Sequence, residues 1–281
     1  MIIFVTGATG LVGSHCINEF LNQGFQVKAL VRNKSDLTVN NNLEVFEGDV
    51  FDSAIIKKAM KGCDVVLHTA ALVSFSSSKR DEMFLTNVSG TANIVNFCLK
   101  HKVEKLCYVS STAALSYNSN GLTDESFKWI PGPEVSGYSI SKFAAEKEVW
   151  RGIEEGLNAV IINPCVILGP GNWKESSLSI FKSASKGIGF YPSGSNAIVD
   201  VRDVVFSMHY LMNAEISSKK FLCTGPNISF KELLEALAIQ FNKRAPKIKS
   251  PRWLSLVVAS FSEVINLILR KRDGLTIEYY L

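Results

Sequence analysis

From the first residue the chain sets a short apolar run, Ile2–Val5, against a glycine-rich turn, and a helix-spaced apolar pattern follows over Ser14–Asn22. The alternation then repeats. Gln26–Val31, Leu43–Phe46, Val65–Leu67, Lys105–Val109 and Ala159–Ile162 are short β-rich runs that predict strands. Between them Ser53–Met60, Arg80–Lys100 and Ser139–Glu155 carry the periodicity of helices. Strands of nearly continuous Val, Ile and Leu suit a parallel sheet covered by helices on both faces. The expected class is therefore α/β, a doubly wound parallel sheet whose ligands lie beyond the carboxyl ends of its strands.

Residues 1–165 are expected to form this nucleotide-binding core. After Pro164 the regular alternation loosens, punctuated by Gly169-Pro170-Gly171, Gly187, Gly189, Pro192 and Gly194. Residues 166–281 should form mainly a small carboxy-terminal substrate lobe, with some segments returning to the core sheet. Its helices are expected over Ser177–Lys186, Arg202–Asn213, Ser229–Phe241 and Pro251–Leu269.

Composition narrows the class without changing it. At 281 residues, 47% apolar and 20% charged, the chain is an ordinary globular protein, far from the disordered range. Its six cysteines stand singly at 16, 63, 98, 107, 165 and 223, with no CxxC spacing and no histidine cluster beside them. That pattern fits buried free thiols in a reducing, cytoplasmic setting and no metal site. The net charge of +4 is mild. Basic residues gather at Lys243, Arg244, Lys247, Lys249 and Arg252, and again at Arg270–Arg272, but a solvated face explains them and no nucleic-acid motif accompanies them. The apolar start is accounted for as a strand, so no secretory leader is expected. Trp253–Leu269 holds Glu263 and Asn266 and is too short for a span; no integral membrane segment is expected.

The chemistry begins at Thr6-Gly7-Ala8-Thr9-Gly10-Leu11-Val12-Gly13, a GxxGxxG turn between the first strand and the first helix. Gly7, Gly10 and Gly13 would permit the tight turn, the approach to a pyrophosphate and the close packing of helix on strand. The helix start then directs free N–H groups at the negative charge, with Thr9 and Leu11 counted among the contacts. The second strand ends in Arg32, with Lys34 two residues on, where an acidic residue would suit NAD. These cations suit a 2′-phosphate, so NADP(H) is expected ahead of NAD(H). Asp49 is expected to meet the adenine amino group, or else to cap a helix, and Val50 to pack on the adenine ring.

Tyr138 and Lys142 lie four apart at the start of a predicted helix and so share one face. A lysine ammonium there should lower the phenol's pKa toward the working range. The fifth strand ends in Ser110-Ser111-Thr112, so Ser111 or Thr112 is placed to hydrogen-bond a substrate oxygen that Tyr138 protonates or deprotonates.

With these residues the chain resembles the extended short-chain dehydrogenase/reductase family, in its dihydroflavonol-4-reductase-like and NAD-dependent epimerase-like branch. The resemblance runs from Met1 to about Asp203. It implies a Rossmann domain with a small substrate lobe and a catalytic trio of Thr112, Tyr138 and Lys142, Thr112 being chosen because it is third in its run. It implies that Lys142 holds the nicotinamide ribose and that Thr69, Ala70 and Ala71 pass the pyrophosphate. Pro164 and Val166 would close over the nicotinamide, and Asn87 would fix a neighbouring loop. Ala113 and Ala114 stand where the family's dehydratases carry an acidic pair, which argues against dehydration. The segment Leu115-Ser116-Tyr117 departs from the family's usual Tyr-Gly, and the tail is shorter than in most relatives, which speaks against a bulky nucleotide-sugar substrate.

The resemblance implies an NADP(H)-dependent oxidoreductase interconverting a carbonyl and an alcohol on a small molecule. The alternatives are an NAD-dependent nucleotide-sugar 4-epimerase and a non-catalytic dinucleotide-binding sensor or scaffold. A homodimer through the helices 80–100 and 139–155 is possible on the same resemblance.

Overall fold

Most of the apolar runs become strands because they are buried on both sides, while Leu43–Phe46, at the edge of the sheet, is only partly buried. In the computed structural model, residues 1–34, 37, 40–74, 76–115, 123–127, 129–130, 132, 135–173 and 176–250 are described. The expected helix at Pro251–Leu269, the cations Arg252 and Arg270–Arg272, and Tyr117 lie outside them.

In chain order the elements are β1 (Ile2–Thr6), α1 (Leu11–Asn22), β2 (Gln26–Val31), β3 (Leu43–Glu47), α2 (Ser53–Ala59), β4 (Val65–His68), α3 (Arg80–Phe84), α4 (Gly90–His101) and β5 (Lys105–Val109). They continue as α5 (Gly137–Glu154), β6 (Ala159–Pro164), β7 (Val166–Leu168), α6 (Ser179–Lys186), β8 (Phe190–Tyr191), β9 (Ser195–Asp200) and α7 (Val201–Asn213). The last are β10 (Lys219–Cys223), β11 (Asn227–Ser229), α8 (Phe230–Gln240) and β12 (Ile248–Lys249).

Seven strands form one sheet in the order β10-β6-β5-β4-β1-β2-β3, and every pairing in it is parallel. Alternate side chains of a strand serve opposite faces. Accordingly Ile3 and Val5 of β1 join α1 and α7 in one buried cluster, while Phe4 joins α2, α4 and α5 in the other. The order reverses between β1 and β4, and a crevice for ligands opens at such a reversal.

β10 completes the sheet at the β6 edge, after a long stretch of chain that belongs largely to a smaller lobe. That lobe carries α6 and α8, whose contact buries Ala184, Leu233 and Leu237, with β7, β9 and β11 forming its own small sheet.

The expected helix 80–100 is interrupted. Leu85–Ser89 forms a π-helical turn between α3 and α4, in which Asn87 is buried. Gly90 follows because α4 passes close to the loop after β3: a Cβ there would stand 2.7 Å from Cγ2 of Val50. Among the described residues, no helix is long and apolar enough to cross a membrane.

Candidate functional site

Gly7 ends β1 in a left-handed conformation (φ +70°), which only glycine adopts cheaply. The space around it is filled by backbone, for a Cβ would fall 2.6 Å from the Ala70 nitrogen. Gly13 packs on the same turn, where a Cβ would lie 2.1 Å from the Gly7 carbonyl oxygen. The Thr69 hydroxyl donates to the Thr6 carbonyl at 2.7 Å and fastens β4 to this turn. Gly10 caps α1 with no side-chain hydrogen bond, and no acidic residue sits in the first helical turn. The first N–H groups of a twelve-residue helix therefore face the crevice without a side-chain acceptor, at the positive end of its dipole. Such a cradle fits a pyrophosphate. Thr9 is exposed, Leu11 and Ala70 are half-buried and Ala71 is exposed along the same edge. Pro164 ends β6 and the half-buried Val166 opens β7 at the far side of the edge.

Arg32 is exposed just beyond β2. The Gly48 N–H donates to the Val31 carbonyl at 2.9 Å, so the chain after β3 leaves the sheet beside the end of β2. Asp49 is exposed there, and its carboxylate accepts from the Phe51 N–H in a local turn. Capping of α2 belongs to Asp52, which accepts from Ile55. Val50 is placed differently from the expectation. Its side chain is 6% exposed and fills the core against Gly90, so it is not presented as an outer surface for a ring.

α5 sets Tyr138, Lys142 and Glu146 one turn apart, with Ser136 capping its start by accepting from the Ser139 N–H. Tyr138 is half-buried and hydrogen-bonds the hydroxyl of Ser111. Of the two hydroxyls the run offers, it is Ser111 that meets the phenol in this structure. After β5 the chain stays extended through Ser111 and turns into a tight helical turn at Thr112–Ala114, with the Ser111 oxygen accepting from the Ala113 N–H. The alternation leaves Ser110 facing inward, where its hydroxyl donates to Glu146 at 2.5 Å, and puts Ser111 beside the phenol.

The electrostatics also differ from expectation. The Tyr138 pKa is raised, because desolvation outweighs the help of the Ser111 hydroxyl. Lys142 does not lower it. The lysine is 1% exposed and its Nζ donates to the Tyr108 hydroxyl at 2.9 Å and to the Val109 carbonyl at 2.8 Å. Burial brings its pKa down to about 7, against the opposing pull of Glu146. Glu146 itself is pushed up by burial and steadied by Ser110 and by Asn163, whose amide donates to it at 2.5 Å.

Asn87 fixes the neighbouring loop: it accepts from the Leu72 N–H and donates to the Leu72 carbonyl and the Ser141 hydroxyl. Tyr108 and Glu146 join the site without having been singled out by the sequence. Glu146 had a signal, since it extends the four-residue spacing of Tyr138 and Lys142, whereas Tyr108 reads as one more strand residue.

Residues 3–222 match the model of the NAD dependent epimerase/dehydratase family. A protein of Synechocystis sp., provisionally named dihydroflavonol 4-reductase, is 32% identical over 272 residues, covering 93% of this chain and 79% of its own length. The crystal structure of gox2253 superimposes with a TM-score of 0.82 at 29% identity, over 99% of this chain and 86% of that one. MoeE5 in complex with UDP-glucose and NAD gives a TM-score of 0.77 at 22% identity, over 89% of this chain and 85% of that one, a likeness of fold.

Proposed function

Because the chain belongs to the NAD dependent epimerase/dehydratase family, and so is a dinucleotide-linked oxidoreductase or epimerase of small molecules, we propose that it reduces a carbonyl to an alcohol with NADP(H). The observation that carries this reading is a neutral phenol, Tyr138, held by the Ser111 hydroxyl at the carboxyl edge of the sheet that also bears the glycine cradle. When bound, the nicotinamide would supply or take up the hydride. Gly7, Gly10 and Gly13 would hold its pyrophosphate, with Thr9, Leu11, Thr69, Ala70 and Ala71 alongside. Pro164 and Val166 would bound the nicotinamide end, and Asp49 would accept from the adenine amino group.

As negative charge develops on the substrate oxygen, Tyr138 donates its proton there, and the Ser111 hydroxyl donates to the phenol oxygen as it becomes negative. A phenol kept protonated by burial suits this direction. Lys142, whose pKa burial brings down to about 7, stands one turn away and can return a positive charge to the site after the proton has left. Ala113 and Ala114 offer no acid or base for expelling water. Arg32, exposed past β2 where NAD enzymes favour an acid, supports the 2′-phosphate.

A second reading is a nucleotide-sugar 4-epimerase that keeps NAD bound while the same Tyr138 shuttles the proton. It is favoured by the likeness to MoeE5, which holds UDP-glucose and NAD. Calorimetry of the cofactor-stripped protein with NADPH and NADH, repeated on Arg32→Ala, separates the two. NADPH should bind at least tenfold more tightly, and Arg32→Ala should abolish that margin. Equal or tighter NADH binding would remove Arg32 from its role and transfer the assignment to the epimerase.

A further inference from the structure

The spacing on α5 pairs Lys142 with Tyr138, yet its amine is anchored to another tyrosine. Tyr108 lies on β5, 1% exposed, with its ring face 4.6 Å from Nζ and its hydroxyl 2.9 Å away. Around it runs a buried hydrogen-bonded chain that also includes Thr91 on α4, His68 on β4 and Thr6 at the end of β1.

The proton directions in this chain follow from its one unambiguous acceptor. The Thr91 hydroxyl donates to the Asn87 carbonyl at 2.6 Å. Its single proton is thereby used, so toward its other neighbours Thr91 can only accept. His68 Nε2, 3.0 Å away, must then carry a proton and donate. Full burial keeps His68 neutral, with a pKa down to about 3, so its Nδ1 is bare and accepts from the Thr6 hydroxyl at 2.6 Å. Thr6, its proton spent, accepts in turn from the Ala70 N–H. Tyr108 is also hydrogen-bonded to Thr91, and with the Thr91 proton spent on the Asn87 carbonyl the phenol must be the donor in that bond. What remains on the phenol oxygen is acceptor capacity alone, and it faces Lys142. Two donors converge on Thr91, so the chain anchors groups and does not conduct protons.

We propose that Tyr108 is a positioning residue for Lys142: oriented by Thr91, its phenol serves as an obligatory acceptor that fixes the amine and favours its protonated form. This rests on the reading of Lys142 as part of the reaction site. The titratable groups around the amine are Tyr138 and Glu146 on α5, Tyr108 on β5 and His68 on β4. Tyr138 and Tyr108 stay neutral at working pH, His68 is neutral, and Glu146 favours the ammonium. Removing the acceptor on Tyr108 therefore weakens the charged form. Tyr108→Phe keeps the ring and removes only that oxygen.

The test is an NMR titration of the lysine 13Cε signals in the wild-type chain, Tyr108→Phe, Thr91→Ala and Thr91→Ser. Loss of a signal in Lys142→Met assigns Lys142. In Tyr108→Phe the Lys142 midpoint should fall by about one pH unit, the size of a charge-assisted hydrogen bond. Thr91→Ala frees the phenol's proton to point at the amine and should lower the midpoint too, whereas Thr91→Ser should leave it in place.

A Lys142 midpoint unchanged in both Tyr108→Phe and Thr91→Ala would overturn the proposal, even if both variants melted earlier. Should Tyr108→Phe fail to fold, Thr91→Ala and Thr91→Ser decide alone. The titration needs no substrate, so it stands apart from the assignment of a reductase. With a carbonyl substrate in hand, Tyr108→Phe should lower kcat about five- to tenfold with KM within twofold, and shift the matching limb of the pH profile by the same unit.

Discussion

The glycine turn and the surroundings of Lys142 occupy the same edge of one sheet, but they are assembled differently. Gly7 to Gly13 is a single stretch in which each glycine makes room for a backbone atom of the turn or of the adjoining β4 segment. The site of Lys142 takes a helix residue, a strand tyrosine, a threonine from α4 and a histidine from β4, none of them neighbours in the chain. The first is specified by backbone geometry and tolerates no added atom. The second is specified by hydrogen-bond direction, and a lost partner changes protonation before it changes shape.

If that contrast holds, Gly13→Ala should have the largest effect. Its Cβ meets the Gly7 carbonyl at 2.1 Å, and the contact is with backbone that cannot step aside. We expect a loss of about 3 kcal/mol in denaturant unfolding and at least about a hundredfold weaker dinucleotide binding by calorimetry. A variant that folds and binds like the parent would break the comparison at its first half.

Next in size is the choice between two adjacent hydroxyls. Ser111→Ala should cost about tenfold in turnover, the worth of one hydrogen bond to a reacting group, while Thr112→Val should cost less than about twofold. Steady-state rates with a carbonyl substrate decide it. The reverse order would restore Thr112 to the site.

A third effect, read on another scale, is on stability against pH. Lys142 titrates near 7 in the folded chain and at an ordinary 10.5 when unfolded. Between those values the unfolded chain holds more protons, so stability rises with pH from about 7 upward, and below 7 the cost is complete. Lys142→Met should flatten that rise, read from urea midpoints at pH 7, 8 and 9. An unchanged slope would show that the amine is not held in a low-dielectric setting.

Much of the arrangement is legible in the sequence. The strands over 26–31 and 105–109 are as expected, and the others differ by one or two residues at an end, because short β-rich runs bounded by turn residues leave few alternatives. The glycine triplet and the four-residue spacing of Tyr138 and Lys142 are legible because each is local. The resemblance gives Asn87 the task of fixing a loop, and it bridges Leu72 and Ser141. The π-helical turn around it is not legible, since the apolar spacing of 80–100 fits an unbroken helix. Val50 reads in the sequence as a ligand contact and belongs to the core, a matter settled by how closely Gly90 approaches.

By itself, then, the sequence determined what depends on neighbours along the chain: the strand and helix order, the conformation that Gly7 alone can adopt, and the shared helix face of Tyr138 and Lys142. Only the tertiary structure decided that Ser111 meets the phenol, that Lys142 bonds Tyr108, and that Thr91 accepts from both His68 and Tyr108. The physical reason is that a hydrogen bond has a direction and a reach of about 3 Å. Which donor meets which acceptor is set where β4, β5, α4 and α5 converge, and no spacing along the chain encodes that meeting.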